Sequence, residues 1–227
     1  MGLFVRLTAS LLFGLFVAGC GAANLDNPLS RKFNWFGYLN GDDLREACAA
    51  GGPEVYRFVY NGDYANQVRT YDLAVQPDGG GKLSIHVFGP AEVARISVEK
   101  GLDLIAPWKG QSALVNLRPE DITRLRAAWD PSSAPEGLEM SSERFYWIVG
   151  ACRNGTYRFN AYLWPSKRFD SMTFDDLLFG WDFTDVKVSE PHPAVSEATE
   201  RMQGVDIESR FNIRIGRNGL WTLGGGQ

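Results

Sequence analysis

Apolar and polar residues interleave most visibly near the end of the chain, where Val205, Ile207, Phe211, Ile213 and Ile215 are set among Asp206, Glu208, Arg210, Asn212 and Arg214. A period of two places one set on a buried face and the other in water, so this segment predicts a strand with one wet side. A turn containing Asn218-Gly219 then returns the chain through Leu220 to Leu223. Lys82 to Phe88 carries the same signal, with Leu83, Ile85 and Val87 alternating with Lys82, Ser84 and His86. Glu54 to Tyr60 and Tyr64 to Val75 read as a hairpin joined at Asn61-Gly62, a dipeptide that tolerates the positive φ of a type I′ turn. Pro77 to Gly81 makes the next turn. Glu92 to Val98, readable also as helix, and Gln111 to Leu117 are further candidate strands. A second hairpin joins Glu143–Cys152 to Thr156–Trp164 through Arg153-Asn154-Gly155, with both arms rich in aromatic residues.

Four segments change to helical spacing. Asp42 and Asp43 precede Leu44 to Ala50, with Gly51-Gly52 beyond, which places acids in a first turn and glycine past the end. Pro119 to Trp129 sets Ile122, Leu125 and Trp129 on one stripe behind an N-terminal proline. Thr173-Phe174-Asp175-Asp176 resembles a capping box that opens a short helix ending by Gly180. Pro193 to Gln203 carries Val195, Ala198 and Met202 on one side. Hairpins punctuated by three or four short helices, without regular strand-helix alternation, predict an α+β domain built on a mostly antiparallel sheet.

The first residues follow different rules. A short region bearing Arg6 runs into the uncharged, largely apolar stretch Leu7 to Val17 and then into Ala18-Gly19-Cys20. A spanning helix needs about 20 apolar residues, whereas a shorter apolar run followed by small residues is the pattern of a cleaved export signal. Val17-Ala18-Gly19-Cys20 resembles the bacterial lipobox, whose cysteine is acylated and becomes the mature N-terminus. That resemblance implies a signal peptide over residues 1–19, a lipidated N-terminus and linker over 20–30, and one domain over 31–227. It also implies lipidation at Cys20, with palmitate-type acyl chains holding the protein to a membrane of the cell envelope. Gly21, standing where an aspartate would retain enterobacterial lipoproteins, points to the outer membrane and to a domain facing the periplasm.

Removal of residues 1–19 takes away one charged side chain, Arg6, leaving 22 basic and 27 acidic residues and a formal charge of −5. No basic run exceeds Arg31-Lys32 or Lys167-Arg168, which argues against nucleic acid as a partner. Aromatic residues make up 13% of the chain, enough large apolar side chains for a packed core. With Cys20 acylated, Cys48 and Cys152 remain in a compartment that permits disulfides. A disulfide is the expectation, with two buried small hydrophobes as the alternative.

Chemistry-bearing residues are sparse. Histidine occurs only at His86 and His192, and neither has an orienting partner in sequence. Neither Gly-x-Ser-x-Gly nor Cys-x-x-Cys occurs, and Asp78-Gly79-Gly80-Gly81-Lys82 lacks the first glycine and the hydroxyl of a phosphate loop, so it reads as a turn. Asp170, Asp175, Asp176, Asp182 and Asp185 form the one carboxylate-rich stretch. Paired acids there would suit a hydrolase acting on an envelope glycan, although helix capping accounts for Asp175 and Asp176. On the strand that follows Asn61-Gly62, Tyr64, Asn66, Gln67, Arg69 and Asp72 combine aromatic and hydrogen-bonding groups as a binding face would. Two functions follow: a non-catalytic binding or assembly module that meets an envelope protein or glycan without metal or cofactor, and, as the alternative, a carboxylate-dependent hydrolase.

Overall fold

A computed structural model of the chain describes residues 35–89, 111–129, 132, 134–193 and 210–221. Within them, helical residues 35–40 lead into α1 (Asp42–Ala49), and strands β1 (Val55–Gly62), β2 (Val68–Val75) and β3 (Gly81–Phe88) follow. Next come β4 (Gln111–Leu117), α2 (Pro119–Ala128), β5 (Glu139–Ser141), β6 (Phe145–Arg153) and β7 (Thr156–Leu163). Two short helices, α3 (Lys167–Asp170) and α4 (Phe174–Gly180), precede β8 (Asn212–Arg214). The class is α+β, as the hairpin pattern predicts. One six-stranded sheet runs in the order β4-β3-β2-β1-β6-β7 with every neighbouring pair antiparallel, and β5 and β8 form a separate two-stranded ribbon.

The sheet has two unequal faces. Tyr56, Phe58, Tyr60, Tyr71, Leu73, Leu83, Ile85, Trp147 and Val149 point to one side, where Ile122 and Leu125 of α2 and Phe174 and Leu178 of α4 cover them. On the other side Val59, Val68, Tyr146, Ile148, Phe159 and Ala161 meet Trp35 and Leu39, Cys48 of α1, and Met140 and Ile213 of the ribbon. Strands β1 and β6 are therefore buried on both sides, which is why Phe145 to Cys152 shows no polar alternation at all. Trp147 sits at the centre with no exposed surface, within 5.0–5.9 Å ring-to-ring of Tyr60, Phe174, Phe179 and Tyr71. Burial of one such side chain contributes roughly 1.5–3 kcal/mol, and edge-to-face packing adds to it.

Two of the Asn-Gly dipeptides behave differently. Asn154 and Gly155 take φ values of 51° and 68° and make the β6–β7 turn, as expected. Asn61 and Gly62 instead remain in β1, opposite Tyr146 and Phe145, and the turn falls after them with Asp63 at φ 64°. The physical reason is tertiary: Asn61 donates through Nδ2 to the carbonyls of Ser142 (2.8 Å) and Arg144 (2.6 Å), so pairing with β6 holds it extended. Tyr64 to Gln67 consequently belong to the connection, and β2 begins only at Val68.

Other boundaries shift for similar reasons. Gly41, at φ 67° and buried beneath the Tyr157 hydroxyl, bends the chain between residues 35–40 and α1. The Thr173 side chain makes no cap bond, so α4 forms without its capping box. In α2 the missing cap is replaced from within, because Asp121 accepts from the Arg118 N–H at 3.0 Å. Of the long terminal strand the described residues contain β8, and Ile215 bridges back to Leu220. Residues 92–98, 194–203 and 205–209 lie outside the described residues.

Candidate functional site

The polar strand residues singled out in the sequence are divided by the pleat and do not share a surface. Residues at odd and even positions of β2 point to opposite sides of the sheet. Arg69 and Tyr71 face the side covered by α2 and α4, and Asp72 faces the other. Tyr64 and Asn66, in the preceding connection, are half-buried. Tyr64 packs its ring 5.0 Å from Phe211 and 6.0 Å from Trp35, and Asn66 donates to Asp63 at 2.6 Å. The expectation of one solvent-facing strand is thereby corrected for Gln67 and Arg69, which are 7% and 1% exposed.

What Gln67 and Arg69 build is a clamp on a distant piece of chain. Arg69 bonds through Nη1 to the Asp182 carboxylate, through Nη2 to the Val186 carbonyl at 2.5 Å and through Nε to Gln67 Oε1 at 2.8 Å. Gln67 donates to the Lys187 carbonyl at 2.9 Å and accepts from the Ser189 N–H at 3.0 Å, while the Tyr60 hydroxyl donates to the Ser189 carbonyl at 2.5 Å. Asp182 also accepts from Tyr71 (2.8 Å), the Thr184 hydroxyl (2.5 Å) and the Thr184 N–H (3.0 Å). Burial would raise the Asp182 pKa, but the Thr184 and Tyr71 hydrogen bonds and the Arg69 charge together hold it below the usual carboxylate range. Residues 184–193 form no helix or strand, so side chains from the sheet supply partners that a ladder would otherwise give their backbone.

The acidic stretch is dispersed in role. Asp182 is committed to Arg69, Asp170, Asp176 and Asp185 are exposed, and Asp175 is half-buried in the first turn of α4. Burial pushes the Asp175 carboxyl up and the neighbouring Asp176 charge adds to this, against backbone hydrogen bonds that lower it. Asp182, paired with Arg69, is not a free carboxylate of the kind glycoside cleavage requires.

A second polar cluster was not anticipated. Arg57, in the otherwise uncharged run Val55 to Tyr60, is 7% exposed and bonds to Asp72 at 2.7 Å and to both oxygens of Asp43 at 2.8 and 2.9 Å. Its guanidinium lies 3.7 Å from the Tyr38 ring centroid, and the Tyr38 hydroxyl donates to Asp72 at 2.6 Å. The available signal was the lone cation within an apolar central strand, since a buried charge must be paired. Burial and the Asp72 charge raise the Tyr38 pKa, so its hydroxyl stays protonated and keeps donating.

Cys48 and Cys152 are joined, with sulfurs 2.00 Å and α-carbons 5.5 Å apart, linking α1 to the end of β6. Cys20 lies outside the described residues. His86 shares its face of β3 with Ser84, 3.3 Å away, and stacks on Phe88, while His192 is exposed and meets the Phe145 ring at 4.8 Å. Among the described residues no three His, Cys, Asp or Glu side chains converge as a metal site requires, and no helix is long and apolar enough to cross a membrane. The chain matches no family model, no curated protein and no solved structure.

Proposed function

We propose that this chain is an envelope lipoprotein, held to the outer membrane through acylated Cys20, whose α+β domain acts in the periplasm as a non-catalytic binding or assembly module. The observation that carries the reading is the junction of the apolar run Leu7–Val17 with Val17-Ala18-Gly19-Cys20, too short for a span and ending on the residue that lipidation needs. Support for the non-catalytic part comes from the polar groups of the domain. Arg69, Asp182, Arg57 and Asp72 bind one another or the chain itself, and such pairs fix an architecture where an active site would leave groups turned to a substrate. An oxidised Cys48–Cys152 pair suits an exported location. The hydrolase alternative rests on the acids of residues 170–185, of which Asp182 is committed to Arg69.

The test is mass spectrometry of the protein purified from native envelopes, followed by capture of what co-purifies with it. The mature N-terminal peptide should begin at Cys20 and carry acyl chains, and Cys20→Ala protein should lose them and partition into the aqueous phase without detergent. A mature chain that retains residues 1–19, or an unmodified Cys20, would overturn the reading.

A further inference from the structure

The six-stranded sheet ends in two edges of opposite character. At β7 the backbone groups turned away from β6 are met by side chains. Asn218 Oδ1 accepts from the Phe159 N–H at 2.9 Å and its Nδ2 donates to the Tyr157 carbonyl at 3.3 Å. Arg168 Nε donates to the Ala161 carbonyl at 3.3 Å, and Asn160 Oδ1 accepts from the Ala161 N–H at 2.8 Å. Exposed Arg158 adds a charge to the same strand. This edge is blocked against further pairing.

At β4 none of these devices is present among the described residues. Alternate residues of an antiparallel strand turn their backbone groups to opposite neighbours. Carried from Tyr157, Phe159 and Ala161 through the register of each strand pair, that alternation bonds Gln111, Ala113, Val115 and Leu117 to β3 and directs Ser112, Leu114 and Asn116 outward. No described residue bonds those outward groups. The strand Gln-Ser-Ala-Leu-Val-Asn-Leu contains no charge, proline or glycine, and Leu114 is 71% exposed. An uncharged, unbroken edge of this length is a template for another strand.

We infer that β4 is a self-association edge, at which two copies of this chain pair β4 to β4, antiparallel, about a two-fold axis through Leu114. The sequence fits its own reverse in the register that the free groups demand. Leu114 falls opposite Leu114 of the second copy, and Ser112 opposite Asn116, so all three outward residues become hydrogen-bonded pairs and exchange about six N–H···O bonds. On the exposed side of the sheet the two Leu114 side chains cover one another, flanked by Ser-Asn polar pairs, and on the other side Ala113 meets Val115. No like charges are opposed within Gln111–Leu117, a condition that self-pairing across a two-fold requires. The inference stands on the sheet edge and not on lipidation, so it survives or fails independently of the membrane anchor.

The experiment is sedimentation and register-resolved cross-linking of the full-length protein in mild detergent. The wild type should sediment as a dimer, and Leu114→Lys should weaken association at least about ten-fold, because two like charges meet at the axis, while leaving the far-UV circular dichroism spectrum unchanged. On mild oxidation Leu114→Cys should form a disulfide-linked dimer, whereas Ser112→Cys alone should not. Adding Asn116→Cys to Ser112→Cys should restore cross-linking, and Lys82→Cys, exposed on neighbouring β3, should give none. A wild type monomeric at every attainable concentration, a dimer that survives Leu114→Lys, or equal cross-linking from Ser112→Cys and Leu114→Cys would each overturn the inference.

Discussion

The guanidinium of Arg69 and the carboxylate of Asp182, 113 positions apart in the chain, are bonded to each other with side-chain exposures of 1% and 4%. Truncating one member leaves the other as an uncompensated buried charge, and such losses run to about 3–5 kcal/mol. Arg69→Ala should therefore lower the unfolding free energy by roughly that amount, read from urea denaturation, and should expose residues 182–189 to limited proteolysis. Replacing both charges, as Arg69→Met with Asp182→Leu, should recover much of the loss. A variant within about 1 kcal/mol of wild type would show that the pair is not energetically buried.

Acid should act on the same contact. Because Asp182 is held below the usual carboxylate range in the folded state, its stabilising contribution is full above the unfolded value near 3.9 and is lost as pH falls through the folded pKa. Asp43, Glu54 and Asp121 are lowered as well, each held by an arginine, so they steepen the same limb. Asp175 runs the other way. Its raised pKa gives stability that is full below the unfolded value and lost as pH rises through the folded one. Asp182→Asn should flatten the acid limb of a stability-pH curve, and Asp175→Asn should raise stability at neutral pH. Unaltered curves for both variants would contradict the assignment.

The Cys48–Cys152 link closes a loop of sequence separation 104, and restricting so long a loop in the unfolded chain is worth about 4–5 kcal/mol in the chain-entropy account. In a Cys20→Ala background, denatured unreduced protein should show no titratable thiol, and two after reduction. Reduction should move the urea midpoint down by an amount consistent with that free energy. Thiols titrating before reduction would show the pair to be open.

Much of the fold was legible because local rules decided it. Lys82 to Phe88 and Gln111 to Leu117 carry strand patterns, Pro119 to Ala128 carries a helical stripe, and Asn154-Gly155 meets its dihedral requirement without help from elsewhere. The residues proposed as a binding face were a different matter. Gln67 and Arg69 have the composition of an interface, and composition does not distinguish a surface turned to a partner from one turned to the protein's own chain.

The sequence by itself determined the antiparallel α+β class and the turn at Asn154-Gly155, because periodicity and backbone dihedrals act over a few positions. Tertiary structure alone decided that Asn61-Gly62 would be strand, that Arg69 would close on Asp182, and that Arg57 would gather Asp43 and Asp72. Each of those outcomes rests on groups from separate parts of the chain meeting in a low-dielectric interior. A buried polar group there must find a partner, and which partner lies within reach is set by the packing of the whole sheet.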